Sequence, residues 1–484
     1  MRNKLRIFLP ASVLLGLIIL GGLLYFRLRP QAVPERQYPD GLCQTAVSAR
    51  FLPEEGAFAV TQEMRFTNRS GDDWPQLMLQ LPANAYAEEA LSPAASAGLY
   101  AACYPEGFSP GAIAIDWAEV NGTRTEPVYP TEDRLFCFLP VPVSSGETCT
   151  VKLRYRLLLP TCLHRFGMDD TAIRLCRVFP APGIYENGKW RQDEPVCVGD
   201  GWNAAPARFT FRMELPEDYT LAAGCAVTRE GTVFSGTVPA ADDLCLTVFT
   251  APVHVLSRTV GGTRVTIMSA DDALPHQAAD LLIPYLHALA GLYGPSPAEQ
   301  ITVCLLPSYR AFEGYPGLIL LGDEQFPVFQ SSPPDAAYCA ARQWFGAGFS
   351  TDGFLESWLS GALSEWAGLQ ALLRVNGRDA YEHRVNAFVD EAMRENLHLS
   401  LTPGSPLSRF PDDDVLETVL RGRGCAFLIA ADTLSGGRMN EFLPVFLKSH
   451  AYQRVSADRF LRELNDYFSM DFSPLLVDYI HTYY

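Results

Sequence analysis

The sequence predicts a multidomain protein of the β plus α+β class: an N-terminal transmembrane helix, an antiparallel β-sandwich domain, then a domain with a small sheet and a mostly helical C-terminal part. Three observations carry this. Residues 7–26 form an uncharged apolar run; apolar residues alternate with period two from about residue 45 to 250; beyond that the apolar spacing becomes helical. At 484 residues, with 48% hydrophobic and 19% charged, the chain is long enough for two or three cores and too apolar to stay disordered.

The run IFLPASVLLGLIILGGLLYF, Ile7 to Phe26, has about the length a helix needs to cross a bilayer. Arg2, Lys4 and Arg6 precede it, and Arg27 and Arg29 follow, so charge orients it only weakly. No small-x-small cleavage site comes after it. Residues 1–29 are therefore expected to be a retained, single-pass signal anchor with the globular part extracytoplasmic, a cleaved signal peptide being the alternative. Residues 30–44, rich in proline and polar side chains, read as an extended stalk.

The β-sandwich domain is expected over 45–255. Phe58, Val60, Met64 and Phe66 alternate with polar neighbours, as do Cys149, Val151, Leu153, Tyr155 and Leu157, and Phe209, Phe211, Met213 and Leu215. Asn121-Gly122 predicts a hairpin turn, because both residues accept positive φ. Residues 92–107 read as a loop insertion. A further hairpin turns at Gly261-Gly262, and a helix over 275–293 buries Leu282, Tyr285, Leu286 and Leu289 before Gly294-Pro295 ends it. Two strands, ITVCLLP and PGLILLG, precede helices over roughly 335–346, 353–373, 377–397, 413–434, 438–450, 456–468 and 473–484. This second domain spans 256–484.

Charge narrows the function. Thirty-eight basic against 55 acidic residues give a net −17, which argues against nucleic acid and against broad attraction to anionic lipid. The twelve cysteines never form a CxxC pair, and several fall on the apolar phase of strands, so no disulfide is predicted.

Several phrases occur in an order that resembles the aminopeptidase N family of gluzincin zinc metallopeptidases: Tyr315-Pro316-Gly317-Leu318, then Gln343-Trp344-Phe345-Gly346, then Trp358-Leu359-Ser360-Gly361-Ala362-Leu363-Ser364-Glu365-Trp366, then Arg423-Gly424. They resemble, in turn, the strand after the family's GxMEN segment, the end of its zinc helix, its WLxEGxAEY helix and its YxKG. The resemblance implies a β-sandwich followed by a thermolysin-like (gluzincin) domain. In such enzymes two histidines of an HExxH helix hold zinc and the glutamate between them activates a water. The resemblance places those histidines on Tyr338 and Arg342, the general base on Cys339 and the third ligand on Gly361. The glutamate that grips a substrate amino group falls on Gly314, and the tyrosine that steadies the intermediate falls near Arg421. The functional positions are substituted, while Gln343, Trp344, Phe345, Gly346, Trp358 and Leu359 are retained.

None of the eight histidines, His164, His254, His276, His287, His383, His398, His450 and His481, stands three or four residues from another, so the chain has no HExxH. A guanidinium at the second ligand position repels a dication. Arg342 is expected to replace the metal's charge, stacking on the Tyr338 ring and pairing with Glu356 or Glu365; its alternative is an arginine reaching solvent from the cleft wall. Cys339 reads as a packing cysteine, since no local histidine supports a nucleophile. Ser350, Ser357 and Ser360 lack a GxSxG elbow, Asp412-Asp413-Asp414 suits a helix N-terminus better than calcium, and RGRGCAF is no dinucleotide loop. Trp344, Trp358 and Trp366 read as core.

The expected function is thus a degenerate, membrane-anchored peptidase-like protein without catalytic residues or cofactor, which binds a peptide or protein in the inherited cleft or scaffolds through it. The alternative is an active aminopeptidase N-type zinc enzyme whose ligands lie elsewhere, zinc being its cofactor.

Overall fold

Alternating burial builds the N-terminal half. In the computed structural model Cys149, Val151, Leu153, Tyr155 and Leu157 of strand Thr148–Leu158 are wholly buried, while the residues between them are not. Residues 36–481 are described, apart from 308, 310, 311, 325 and 396–399. The apolar run of residues 7–26 lies outside them; among the described residues no helix is long and apolar enough to cross a membrane. Tyr38–Tyr484 form one compact unit.

Strand Thr148–Leu158 pairs antiparallel with Ala57–Thr67, which pairs antiparallel with Cys43–Leu52, near the middle of an eight-stranded sheet. One pair departs from the antiparallel expectation: Cys43–Leu52 runs parallel to Ala207–Glu214, Val47 facing Phe211. A long excursion separates the two strands, so no hairpin dictates their direction. A three-stranded sheet containing Leu77–Gln80 and a four-stranded one containing Ala172–Leu175 complete this half. Asn121 and Gly122 form the turn between Ala112–Val120 and Thr123–Thr125 at φ 50° and 83°. The loop over 92–107 carries one short helix, Tyr100–Cys103.

The second half begins with a five-stranded sheet in the order His254–Val260, Thr263–Ser269, Gln300–Leu306, Leu318–Gly322, Phe312–Tyr315. Thr263–Ser269 and Gln300–Leu306 are parallel, so a crossover must join them, and helix Leu274–Tyr293 supplies it. One apolar layer binds the halves together. Ala172, Ala222 and Phe249 of the four-stranded sheet, with Cys176 and Cys245 beside its strands, pack with Cys304, Leu306, Leu318 and Leu320 of the five-stranded one.

Helix Pro333–Phe345 starts with proline where an amide would be unpaired anyway, and Ser332 hydrogen-bonds Asp335 there. Helix Ser357–Asn376 packs against it; it begins later than its apolar spacing predicts because the Asp352 carboxylate accepts from the amides of Phe354 and Leu355 and holds the chain in a turn. The expected helix over 413–434 is interrupted: Asp413–Glu417 passes into a π-helical turn, Thr418–Arg423, before Gly424–Leu434 continues. Such a turn swings side chains off the regular helical rows. It carries Arg421.

Candidate ligand cavity

Gln343 explains why helix Pro333–Phe345 lies where it does. Its amide oxygen accepts from Gly317 N at 3.1 Å and its amide nitrogen donates to Tyr315 O at 3.2 Å, both from a wholly buried side chain. The helix is thereby fastened to the edge of the five-stranded sheet. Trp344 donates to Gly294 O at 3.0 Å, Phe345 meets Tyr293 edge-on, and the Gly346 amide closes the helix on Arg342 O. On the next helix Trp358 meets Phe427 edge-on and Leu359 is fully buried. All six retained residues therefore have structural work.

The substituted positions meet elsewhere. Tyr338, Arg342, Gly361, Gly314 and Arg421 line one cavity of about 300 Å³. Cys339 does not. It points into the core, 1% exposed, where burial pushes its thiol up to about 12. A neutral, enclosed thiol is a poor nucleophile.

Arg421 is the deep cation of the cavity. Its guanidinium lies 3.5 Å over the Tyr338 ring, donates to Glu365 at 2.8 Å and pairs with Glu417. Glu365 also accepts from Arg384 at 2.9 Å and is 2% exposed. Burial alone would raise the Glu365 carboxyl; Arg421 and then Arg384 outweigh it and hold the group below its ordinary range.

Arg342 is placed otherwise than expected. Neither Glu356 nor Glu365 pairs with it, and among the described residues it forms no ion pair. The cation over the Tyr338 ring is Arg421, so Glu365 is already shared by two arginines coming from the other side. Arg342 keeps only long hydrogen bonds: Nε and Nη2 to Gly314 O at 3.4 and 3.3 Å, and Nη1 to the Tyr338 hydroxyl at 3.4 Å. Glu356 sits before the first turn of helix Ser357–Asn376, in the field of Asp352 and Arg454.

The opposite wall comes from the β half, and sequence reasoning missed it. Asp200 joins Arg165 at 2.7 Å and Arg177 at 3.1 Å; burial opposes its charge, but Arg177 and Arg165 together hold its carboxyl far below the usual range. Burial, then Arg165, keep His164 neutral, its Nδ1 2.6 Å from the Tyr86 hydroxyl. Glu313 accepts from the hydroxyls of Tyr309 and Tyr315. Asp413 accepts from Ser96 and from the Gly199 amide at 2.8 Å each, while Asp412 caps its helix through Val415 N. Ser350, Ser357 and Ser360 also line the cavity. Trp344, Trp358 and Trp366 are buried to within 2%. Among the described residues no three of His, Cys, Asp and Glu converge as metal ligands.

No family model and no curated protein matches the chain. Solved structures do. A mutant M1 zinc metallopeptidase from Deinococcus radiodurans superposes with a TM-score of 0.62 at 17% identity, over 94% of this chain and 98% of that one. The same mutant enzyme bound to a Tyr-Ser-Ala substrate gives 0.60 at 17%, over 94% and 98%. Yeast LTA4 hydrolase in complex with bestatin gives 0.63 at 13%, over 96% of this chain and 69% of that one. The chain thus has the fold of the M1 zinc metallopeptidases along nearly its whole length.

Proposed function

We propose that this protein is a membrane-anchored, extracytoplasmic relative of the M1 metallopeptidases that has lost zinc peptidase chemistry and uses its cavity to bind a peptide or protein segment. One observation carries the reading: where the resemblance puts the second zinc ligand, the cavity presents the Arg342 guanidinium. A permanent cation there opposes a dication instead of donating to it. The rest of the donor set agrees. Tyr338 stands for the first histidine, and at Gly361, where the third ligand belongs, there is no side chain; a Cβ there would rest in ordinary contact with Arg421 Cγ at 3.6 Å. The nearby carboxylates are engaged, Asp200 and Glu365 by arginines, Glu313 by tyrosines and Asp413 by a serine hydroxyl and a backbone amide. These residues do not fit zinc.

Persistence of a cavity supports binding. Structures of the same fold hold bestatin and a Tyr-Ser-Ala substrate, and a cleft outlasts its catalyst when the elements lining it remain packed. Anchoring follows from the apolar run of residues 7–26 alone.

Metal analysis of the purified chain, alongside hydrolysis of aminoacyl reporter substrates, tests this. The expected result is zinc far below one per chain and no turnover. Zinc at one per chain with turnover abolished by chelator would restore the peptidase reading; turnover indifferent to chelator would require a different catalytic site.

A further inference from the structure

We infer that the cavity recognises a carboxylate, and that Arg342 is the residue that binds it. The inference rests on the reading of the cavity as a binding site and adds the chemistry of what binds.

Most charges in the cavity wall are already satisfied. Arg165 and Arg177 share Asp200, and Arg421 has Glu365 and Glu417. Among the lining carboxylates, Asp413 accepts from a hydroxyl and an amide and Glu313 from two phenols. Arg342 is different. Among the described residues it is the one lining cation with no carboxylate within ion-pair distance, and none of its three hydrogen bonds is shorter than 3.3 Å. A half-buried guanidinium so weakly satisfied retains donors for an incoming acceptor.

Two further donors in the same lining point the same way. Ser350 Oγ and Arg177 Nη1 are buried and have no hydrogen-bond partner, although Arg177 Nη1 lies within ion-pair distance of Asp242 at 3.4 Å and Asp243 at 3.9 Å. Buried donors without a hydrogen-bond partner are rare in folded proteins, and two beside a weakly satisfied guanidinium in one cavity suit an acceptor-rich occupant.

The glycines on either side keep the guanidinium in place. A methyl group on Gly346 would come within 3.2 Å of Arg342 Cζ, and one on Gly314 within 3.4 Å of Nε. The bare backbone there forms a slot in which the planar group lies. A carboxylate presents two oxygens to the fork of a guanidinium, and this match gives both strength and orientation.

The carboxylate can come from a peptide C-terminus or from an acidic side chain, and three probes separate these sources: N-acetyl-trialanine with a free C-terminus, its C-terminal amide, and N-acetyl-Ala-Glu-Ala amide. Dissociation constants are measured by calorimetry on the purified full chain and on Arg342→Gln and Arg342→Lys, each checked for native circular dichroism. At least one acid binds about ten- to hundredfold more tightly than the neutral amide. Arg342→Gln erases that preference and Arg342→Lys keeps part of it. The free-acid tripeptide winning assigns the C-terminus; the Glu peptide winning assigns the side chain. If acids and amide bind alike, or if Arg342→Gln leaves the preference intact, the carboxylate assignment falls while peptide binding stands. If none of the three binds at millimolar concentration, both fall.

Discussion

Two arginines share the cavity and live in opposite circumstances. Arg421, 4% exposed, stacks on a ring and is held by two carboxylates; Arg342, on the helix across from it, has only long contacts to a backbone carbonyl and a phenol. The first is architecture, since its charge is neutralised inside the protein and its removal leaves Glu365 with half its partners. The second is available. The charge of Arg342 is therefore separated from the charge that holds the cavity together.

The largest effect expected from breaking this contrast is at Glu365. Glu365→Ala takes from Arg384 and Arg421 the buried carboxylate they share, leaving Arg421 with Glu417 and both with the more distant Asp335, and should lower unfolding free energy by about 3 kcal/mol in urea titrations, because a buried ion that loses a partner keeps its desolvation cost. A loss below about 1 kcal/mol would mean water reaches the pair freely.

Acid acts on the same carboxylate. Its folded pKa lies below the ordinary 4.5, so its contribution is complete above that value and is lost as pH falls through the folded pKa. Asp200 has the same sign. The wild-type melting temperature should fall with pH below about 4.5, and Glu365→Gln should show a shallower fall. Equal slopes would remove Glu365 from the account.

Tyr338 comes next. Tyr338→Leu removes the ring beneath Arg421 and should cost about 1–2 kcal/mol, whereas Tyr338→Phe keeps the ring, gives up only a 3.4 Å contact to Arg342 and should cost a few tenths. Equal losses would show that the hydroxyl, not the stack, matters. Smallest is Arg342→Gln, expected within about 0.5 kcal/mol of wild type because among the described residues no carboxylate lies within ion-pair distance of it and Asp200, which feels its charge, is held mainly by Arg177 and Arg165. A loss as large as that at Glu365 would make Arg342 structural and dissolve the contrast.

The fold was legible because burial follows the alternation of Phe58, Val60, Met64 and Phe66 and because the Gln343–Gly346 phrase does packing work. The cavity was half legible. Tyr338, Arg342, Gly314, Gly361 and Arg421, singled out through the order of motifs, line one cavity, whereas Cys339 does not. The β wall could not: Arg165, Arg177 and Asp200 carry no local signature, and they meet only when strands Phe166–Met168 and Ala172–Leu175 pair and the chain returns with Asp200 between the two guanidinium groups. The pairing of Arg342 with Glu365 failed for a related reason. Spacing on one helix correctly put Tyr338 beside Arg342, but it carries no information on the π-helical turn that brings Arg421 to Glu365 first.

The central claim is that this fold now holds an arginine where its relatives' resemblance calls for a metal ligand. Thermal unfolding of the full chain with and without a strong zinc chelator, paired with elemental analysis of the same sample, tests it most directly. The account predicts sub-stoichiometric zinc and an unchanged melting temperature. One tightly held zinc per chain, whose removal lowers the melting temperature, would contradict it.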